Sequence, residues 1–345
     1  MNERVERLRE VLDEPLLVSS RCNVWYLSGL DSSKAALLVE RDRPRLYTDF
    51  RYVEAAQAVA GVEVVQTRRD LYGHLAELLA GRIAFEPAHL SYERYERLAA
   101  AGLELVPRDR VVERLRAVKD EGELAAIRTA AAITDRAFER IAQEPFVGRS
   151  ERDVAWQLEQ TLHELGAAGA AFEIIVASGP NAALPHARPG DRTIGPGETV
   201  IVDAGCIVDG YCSDCTRTFA TGVLPDELRT AYEVCRRAQE AGLAALAPGR
   251  EGVEVDRAAR DVIEQAGLGE RFGHGLGHGV GLEVHEGPWL NPELPSTLAV
   301  GNVVTVEPGI YLAGLGGVRI EDLVVVGAGG VEVLSAVTKD LVAVR

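Results

Sequence analysis

Residues 200–218 read VIVDAGCIVDG followed by YCSDCTRT, and their reading decides the fold of the larger part of this 345-residue chain. Asp209-Gly210 between two β-rich runs is a hairpin-turn signal, because both central positions of such a turn need positive φ. With that turn, Val208 pairs with Tyr211 and Gly205 faces Asp214. Asp203 lies two residues from Gly205, so it shares a face with Asp214. Two carboxylates side by side among Val, Ile and Ala are unfavourable unless a cation or a shared proton relieves them. The alternative is that one of the two acids is solvated.

Further along, VVTVEPG (303–309) and VRIEDLVVV (318–326) are two strand-like runs joined by a Gly-rich loop. Each places one glutamate, Glu307 or Glu321, inside a β-branched stretch where glutamate is disfavoured. Arg319 shares the face of Glu321 at period two and is a candidate to orient or neutralise a carboxylate. The hairpins thus offer Asp203 with Asp214 and Glu307 with Glu321, hard oxygen ligands suited to a pair of divalent ions. Between them, glycine occupies every odd position from 273 to 281. In an extended segment this leaves one face as bare backbone, with His274, Leu276, His278 and Val280 on the other. The pattern is neither a phosphate loop nor a dinucleotide fingerprint, and so many glycines argue against a zinc-binding helix. His186, His274, His278 and His285 all lie in Gly/Pro-rich stretches. Any one alone reads as structural; clustered beside four misplaced acids they read as a site. Cys212 and Cys215 form a CxxC pair, but period two puts them on opposite faces, which argues against a thiolate metal site. Trp289 either lines a pocket or closes a loop.

From about residue 120 onward the chain repeats itself at a period of 101 residues: Ile127-Arg128-Thr129-Ala130 returns as Leu228-Arg229-Thr230-Ala231, Gly148-Arg149 as Gly249-Arg250, Asp153-Val154 as Glu254-Val255, and Gly166 as Gly267. Each half reads helix, Gly-Arg turn, helix, closing glycine, then strands. The expected fold class is therefore α+β, a duplicated half-domain with pseudo-two-fold symmetry, and its ligand site is expected where the halves meet. One long helix is expected from Val111 to Ala142, with the domain boundary inside it: residues 1–117, then 118–345. The first part reads as a small α/β domain. It has an opening amphipathic helix, strands at Leu16–Ser20, Ala35–Val39, Arg45–Thr48 and Ile83–Phe85, and helices at Leu71–Leu79 and Ser91–Ala101. It carries no metal-spaced cluster, so a positioning or oligomerisation role is expected of it.

The formal charge of −16 (37 Lys+Arg against 53 Asp+Glu) disfavours phosphate backbones and anionic lipid, so neither nucleic acid nor membrane is an expected partner. No signal segment and no bilayer span is read in the sequence. Five cysteines at irregular spacing fit reduced thiols in the cytoplasm.

The ordered motifs VDAG with SDCTRT, HGLGHGVGLEVHEGP, TVEPGIY and VRIED resemble those of the pita-bread metallopeptidases, most closely the Xaa-Pro peptidases (aminopeptidase P and prolidase). FEIIVASGPNAALPHARP (172–189) is similar to the family segment bearing a catalytic-site histidine. NVWYLSGL and LLVERDRPRLYTDFRY resemble the family's N-terminal domain, so the likeness spans nearly the whole chain. It implies a pita-bread (creatinase/aminopeptidase-like) C-terminal domain behind a creatinase/prolidase-type N-terminal domain. It implies that Asp203, Asp214, His278, Glu307 and Glu321 hold two divalent ions. Asp214 and Glu321 would bridge them, with Mn²⁺ expected and Co²⁺ or Zn²⁺ as alternatives. A water shared by the ions would attack the carbonyl before proline, with Glu307 shuttling the proton. His186 and His285 would stabilise the oxyanion or hold substrate, joined in substrate binding by His274 and Arg319. The substrates implied are short peptides with proline second, cleaved as a dipeptidase or as an aminopeptidase, by a homodimer. A broader-specificity aminopeptidase remains an alternative. So do a non-catalytic protein of this fold and a metal-free amidinohydrolase, although the complete ligand set counts against these last two. Cys215 departs from the aliphatic residue expected there, without touching a ligand.

Overall fold

The computed structural model describes residues 3–345. Met1 and Asn2, the first residues of the expected opening helix, lie outside the described residues. The chain forms two compact units, one ending at Arg116 and the other beginning at Ala117.

The first unit is built on a six-stranded sheet in the order Glu63–Thr67, Arg45–Asp49, Ala35–Val39, Leu16–Val18, Arg82–Phe85, Glu104–Pro107. Its middle strands pair antiparallel and its outer ones parallel. Leu17, Leu38, Tyr47, Leu75, Phe85 and Leu98 form its core. Two strands, Glu63–Thr67 and Glu104–Pro107, and the helices Arg21–Ser28 and Val53–Gln57 were not marked by the hydrophobic pattern. The opening helix is Glu3–Arg9, shorter than the amphipathic run suggests. The unit also holds a polar knot around the buried Asn23, Glu86 and Arg116. Asn23 Nδ2 donates to Glu86 Oε1 at 2.6 Å and to Glu113 Oε1 at 2.8 Å, while Arg116 donates to Asn23 Oδ1 at 2.8 Å.

The long helix expected across residues 111–142 is in fact two, Val111–Ala117 and Glu121–Ile141. Asp120 starts the second by accepting from Glu123 N–H in a capping box. Lys119 turns inward to a buried ion pair with Glu286 at 2.8 Å, a long-range demand that no helical period announces.

In the second unit the halves repeat as expected. Helices Glu121–Ile141 and Glu151–Glu164 open the first half, and Asp226–Ala245 and Gly252–Gln265 open the second. Gly148 and Gly249 hold φ of 87° and 82° in the connecting turns, where a side chain would be strained. Each half then lays down three antiparallel strands in matching order. The first half gives Cys215–Ala220, Thr199–Ala204, Ile175–Ser178; the second gives Asp322–Gly327, Val303–Val306, Gly277–Gly279. Each also has its own core, around Phe138, Val154, Leu158 and Val202 in one and Tyr232, Val255, Ile263 and Val304 in the other.

Candidate metal centre

The Asp209-Gly210 turn forms with φ of 47° and 82°, and Val208 pairs with Tyr211. The register continues through Cys215↔Ala204 and Thr216↔Asp203, which sets Asp203 and Asp214 on one face. In the second half Val306 pairs with Asp322 and Gly309 with Arg319, so Glu307 stands opposite Glu321. The strand runs are not continuous, as the sequence suggested. The ladder breaks at Gly205, at Ser213-Asp214, at Glu307-Pro308 and at Ile320-Glu321, where the chain passes from one sheet to another. Three of the four acids sit at these crossings. The backbone there leaves its own ladder and bonds elsewhere, Glu307 N–H to the Leu276 carbonyl at 2.8 Å and Glu321 N–H to the Thr216 carbonyl at 3.1 Å, and the side chain turns inward.

Glycine alternation supplies the fifth group. A Cβ at Gly277 would sit 2.1 Å from the Thr305 carbonyl oxygen, and one at Gly279 2.2 Å from that of Gly287. Only bare backbone lets these strands close on His278, whose N–H donates to Thr305 Oγ1 at 3.1 Å. His278 Nε2 then lies 3.1 Å from Glu307 Oε1 and 3.7 Å from Asp214 Oδ2. Ligand atoms of Asp214, His278 and Glu321 all fall within 4.8 Å of one another. Asp203 and Glu307 line the same cavity of about 430 Å³, together with His186, His274, His285, Trp289 and Arg319.

The electrostatics of this cluster ask for a cation. Burial pushes Asp203, Asp214 and Glu321 above the ordinary carboxylate range; for Asp214 and Glu321 the neighbouring acids push further still. Burial would raise Glu307 too, but the His278 ring beside it holds it down at about 2. Burial opposes the charge on His278, yet its acidic neighbours lift it to about 9. Asp203 Oδ1 and Glu321 Oε1 are buried without a hydrogen-bond partner. Orphaned carboxylate oxygens are costly, and with one imidazole they form a donor set fitted to hard divalent ions.

The other expected residues are brought to the cavity in different ways. Arg319 is buried and donates not to Glu321 but across the halves to Asp203 Oδ2 at 2.6 Å. Tyr311, to which the sequence reading gave no role, links it to His274. The Tyr311 hydroxyl accepts from Arg319 at 3.0 Å and lies 2.9 Å from His274 Nε2. Thr216, also overlooked, donates to Glu321 Oε2 at 2.7 Å. Alternation places Thr216 on the face of Asp214, two residues away, but nothing local assigns Tyr311 its partners. His285 stacks edge-on against His278 with ring centroids 4.3 Å apart, and burial lowers its pKa. His186 stands exposed on the cavity wall, and Trp289 lines it. Cys212 and Cys215 are buried and form no disulfide, and burial pushes the Cys215 thiol well up.

Residues 125–328 match the model of metallopeptidase family M24, and residues 4–118 that of the creatinase/prolidase N-terminal domain. The chain belongs to the metallopeptidase family M24. Its fold is accordingly the pita-bread fold, preceded by the creatinase-type α/β unit. Among its relatives, the Xaa-Pro dipeptidase of Pyrococcus furiosus is 34% identical over 99% of this chain and 100% of its own. A solved Xaa-Pro dipeptidase from Bacillus anthracis is 38% identical with a TM-score of 0.94, covering 99% of both chains. An X-Pro aminopeptidase from Thermotoga maritima is 35% identical with a TM-score of 0.89, over 98% of this chain and all of that one. Among the described residues, no helix is long and apolar enough to cross a membrane.

Proposed function

We propose that this M24 protein is a metal-dependent exopeptidase that hydrolyses the bond between an N-terminal residue and proline, with Xaa-Pro dipeptides as its substrates. The observation that carries the reading is the convergence of four acids and one imidazole in a single cavity, with two buried carboxylate oxygens left unpaired. Asp203, Asp214, His278, Glu307 and Glu321 would hold two divalent ions, Mn²⁺ in our reading, because one nitrogen among oxygens favours it over thiolate-type zinc sites. Bound there, such ions supply Lewis acidity and bring a water's pKa near neutrality.

The chain's own residues do the rest. Glu307 takes the attacking water's proton and returns it to the departing proline nitrogen, as a general base and then an acid. His285, beside His278, and His186, across the cavity, donate to the carbonyl oxygen as it gains charge. Arg319, fixed by Asp203 and Tyr311, and His274, fixed by Tyr311, hold the substrate's polar groups in place. Phe172, Ile175 and Trp289 form the apolar part of the wall, against which a proline ring packs. Proline offers no amide hydrogen at the scissile bond, so the wall needs no acceptor there. None of the five cysteines forms a disulfide, which fits a cytoplasmic setting, and we place the protein there as a homodimer.

The test is a panel of Xaa-Pro dipeptides, Xaa-Pro-Yaa tripeptides and Xaa-Ala controls, each with and without Mn²⁺. Metal-dependent release of the N-terminal residue from the dipeptides is expected. Equal turnover of Xaa-Ala, or turnover unaffected by a chelator, would refute the reading.

A further inference from the structure

The wall carrying His186 is a loop, residues 179–190, that leaves the strand Ile175–Ser178 through a 3₁₀ turn at Gly179–Ala183 and returns toward the start of the helix Glu151–Glu164. Glu151 opens that helix, is completely buried, and does not line the cavity. Its carboxylate nevertheless receives both ends of the loop. Oε1 accepts from Ser178 N–H at 2.8 Å, from Ser178 Oγ at 2.8 Å and from Asn181 Nδ2 at 3.1 Å. Oε2 accepts from Asn181 Nδ2 at 3.1 Å and from Gly190 N–H at 3.2 Å. Between these anchors Ala182 and Ala187 are buried against Ile201 and Tyr311, while His186 projects.

Only an ionised carboxylate answers this arrangement. Every group that converges on it is a donor, and a carboxylate is the one side chain with acceptors alone on both branches. Charge strengthens each of these bonds, and the helix N-terminus favours the negative charge. A glutamine in its place would turn an NH₂ toward one end of the loop and leave that end facing donor to donor.

We propose that Glu151 is a positioning residue for the reaction: by joining Ser178 and Gly190 to one carboxylate it fixes His186 in the cavity wall, touching neither the substrate nor the metal-holding side chains. This rests on the reading that His186 contacts the substrate. Arg319 also holds this segment, donating to the Pro185 carbonyl at 3.2 Å, so freeing an end at Glu151 shifts the histidine without releasing the segment, and small displacements of a contact group cost rate steeply.

The experiment is a double-mutant cycle on the Mn²⁺-loaded protein, with E151Q, H186A and the double variant, reading kcat and KM for alanyl-proline. Bound Mn²⁺ and amide hydrogen exchange at Ser178 and Gly190 are measured alongside. Glu151→Gln is expected to lower kcat/KM about 10-fold, to speed exchange at Gly190 or Ser178, and to leave Mn²⁺ content unchanged. The double variant is expected to fall no further than His186→Ala alone, because both act through one side chain. Should Glu151→Gln fold poorly, Asn181→Ala loosens the same clamp from a less buried place and is expected to move kcat/KM in the same direction. Losses that multiply in the double variant, or a loss of Mn²⁺ in E151Q, would overturn the proposal. So would full turnover by E151Q while H186A is impaired. Full turnover by H186A would instead sink the reading of His186, and the proposal with it.

Discussion

The two halves of the larger unit share a frame and differ in what they hang on it. Both start their second helix at positions 101 residues apart, Glu151 and Gly252, and each is stitched by a short bridge to the segment that follows, Ser150 to Thr193 and Glu251 to Thr297. At that shared corner the first half places a carboxylate that gathers a loop from a distance. The second places a glycine, where a Cβ would lie 2.0 Å from the Trp289 carbonyl oxygen, so the strand Glu286–Leu290 packs directly on the helix. The third strand differs in the same spirit. Ile175–Ser178 is aliphatic and offers no ligand, whereas Gly277–Gly279 is nearly bare and presents His278. Duplication thus gives the geometry, and unequal residues at equivalent places give the chemistry: two acids from one half, two acids and an imidazole from the other.

The comparison can be broken most decisively at the acids. Asp214→Ala and Glu321→Ala, one from each half, should each reduce turnover to background and abolish Mn²⁺ uptake, as read by metal analysis. Retention of either property by one variant would show that the halves do not share the ions. His285→Ala, just ahead of the strand Glu286–Leu290, should cost on the order of 100-fold in kcat with Mn²⁺ content preserved, the signature of a lost oxyanion donor. Smaller effects sharpen the contrast between the third strands. Gly279→Ala forces a Cβ against the Gly287 carbonyl and should destabilise by about 1–3 kcal/mol, visible as a lowered Tm. Ala177→Gly, on the aliphatic strand, should cost about 1–2 kcal/mol, from glycine's backbone freedom and one lost buried methyl.

The first unit, which lies outside the duplicated frame, supplies a reference for acid sensitivity. Burial would raise Glu113, but hydrogen bonds from His89 and Asn23 bring it down to about 2. A carboxylate lowered by folding stabilises the protein at pH values above its unfolded pKa, near 4.5. That contribution, about 3 kcal/mol at most, is lost as pH falls from there toward 2. Glu113→Gln should flatten this acid limb in thermal melts between pH 5 and about 3 and leave peptidase activity at neutral pH intact.

Local signals carried much of the site into view. The Asp209-Gly210 turn fixes its own register, alternating glycines announce a face pressed against backbone, and glutamate among valines is conspicuous because burial there needs a reason. What stayed hidden depends on partners far away in sequence. The helix breaks at Lys119 because Glu286 waits for it, and Tyr311 matters only once His274 and Arg319 stand on either side. Glu151 looks like an ordinary acidic first turn, a sufficient local explanation that conceals its second task. The acids were legible as strand residues, but their place at the crossings between sheets was not, because hydrophobic periodicity runs straight through those breaks.

The bare face around Gly277 and Gly279 leaves a mark on how this protein tolerates change. Neither glycine takes part in the chemistry, yet any larger residue at 277 must displace the Thr305 carbonyl, two positions before Glu307, and with it the hydroxyl beneath His278. A screen of random variants for lost activity would therefore recover these glycines beside the ligands themselves, as silent-looking alleles whose reactive groups are all intact.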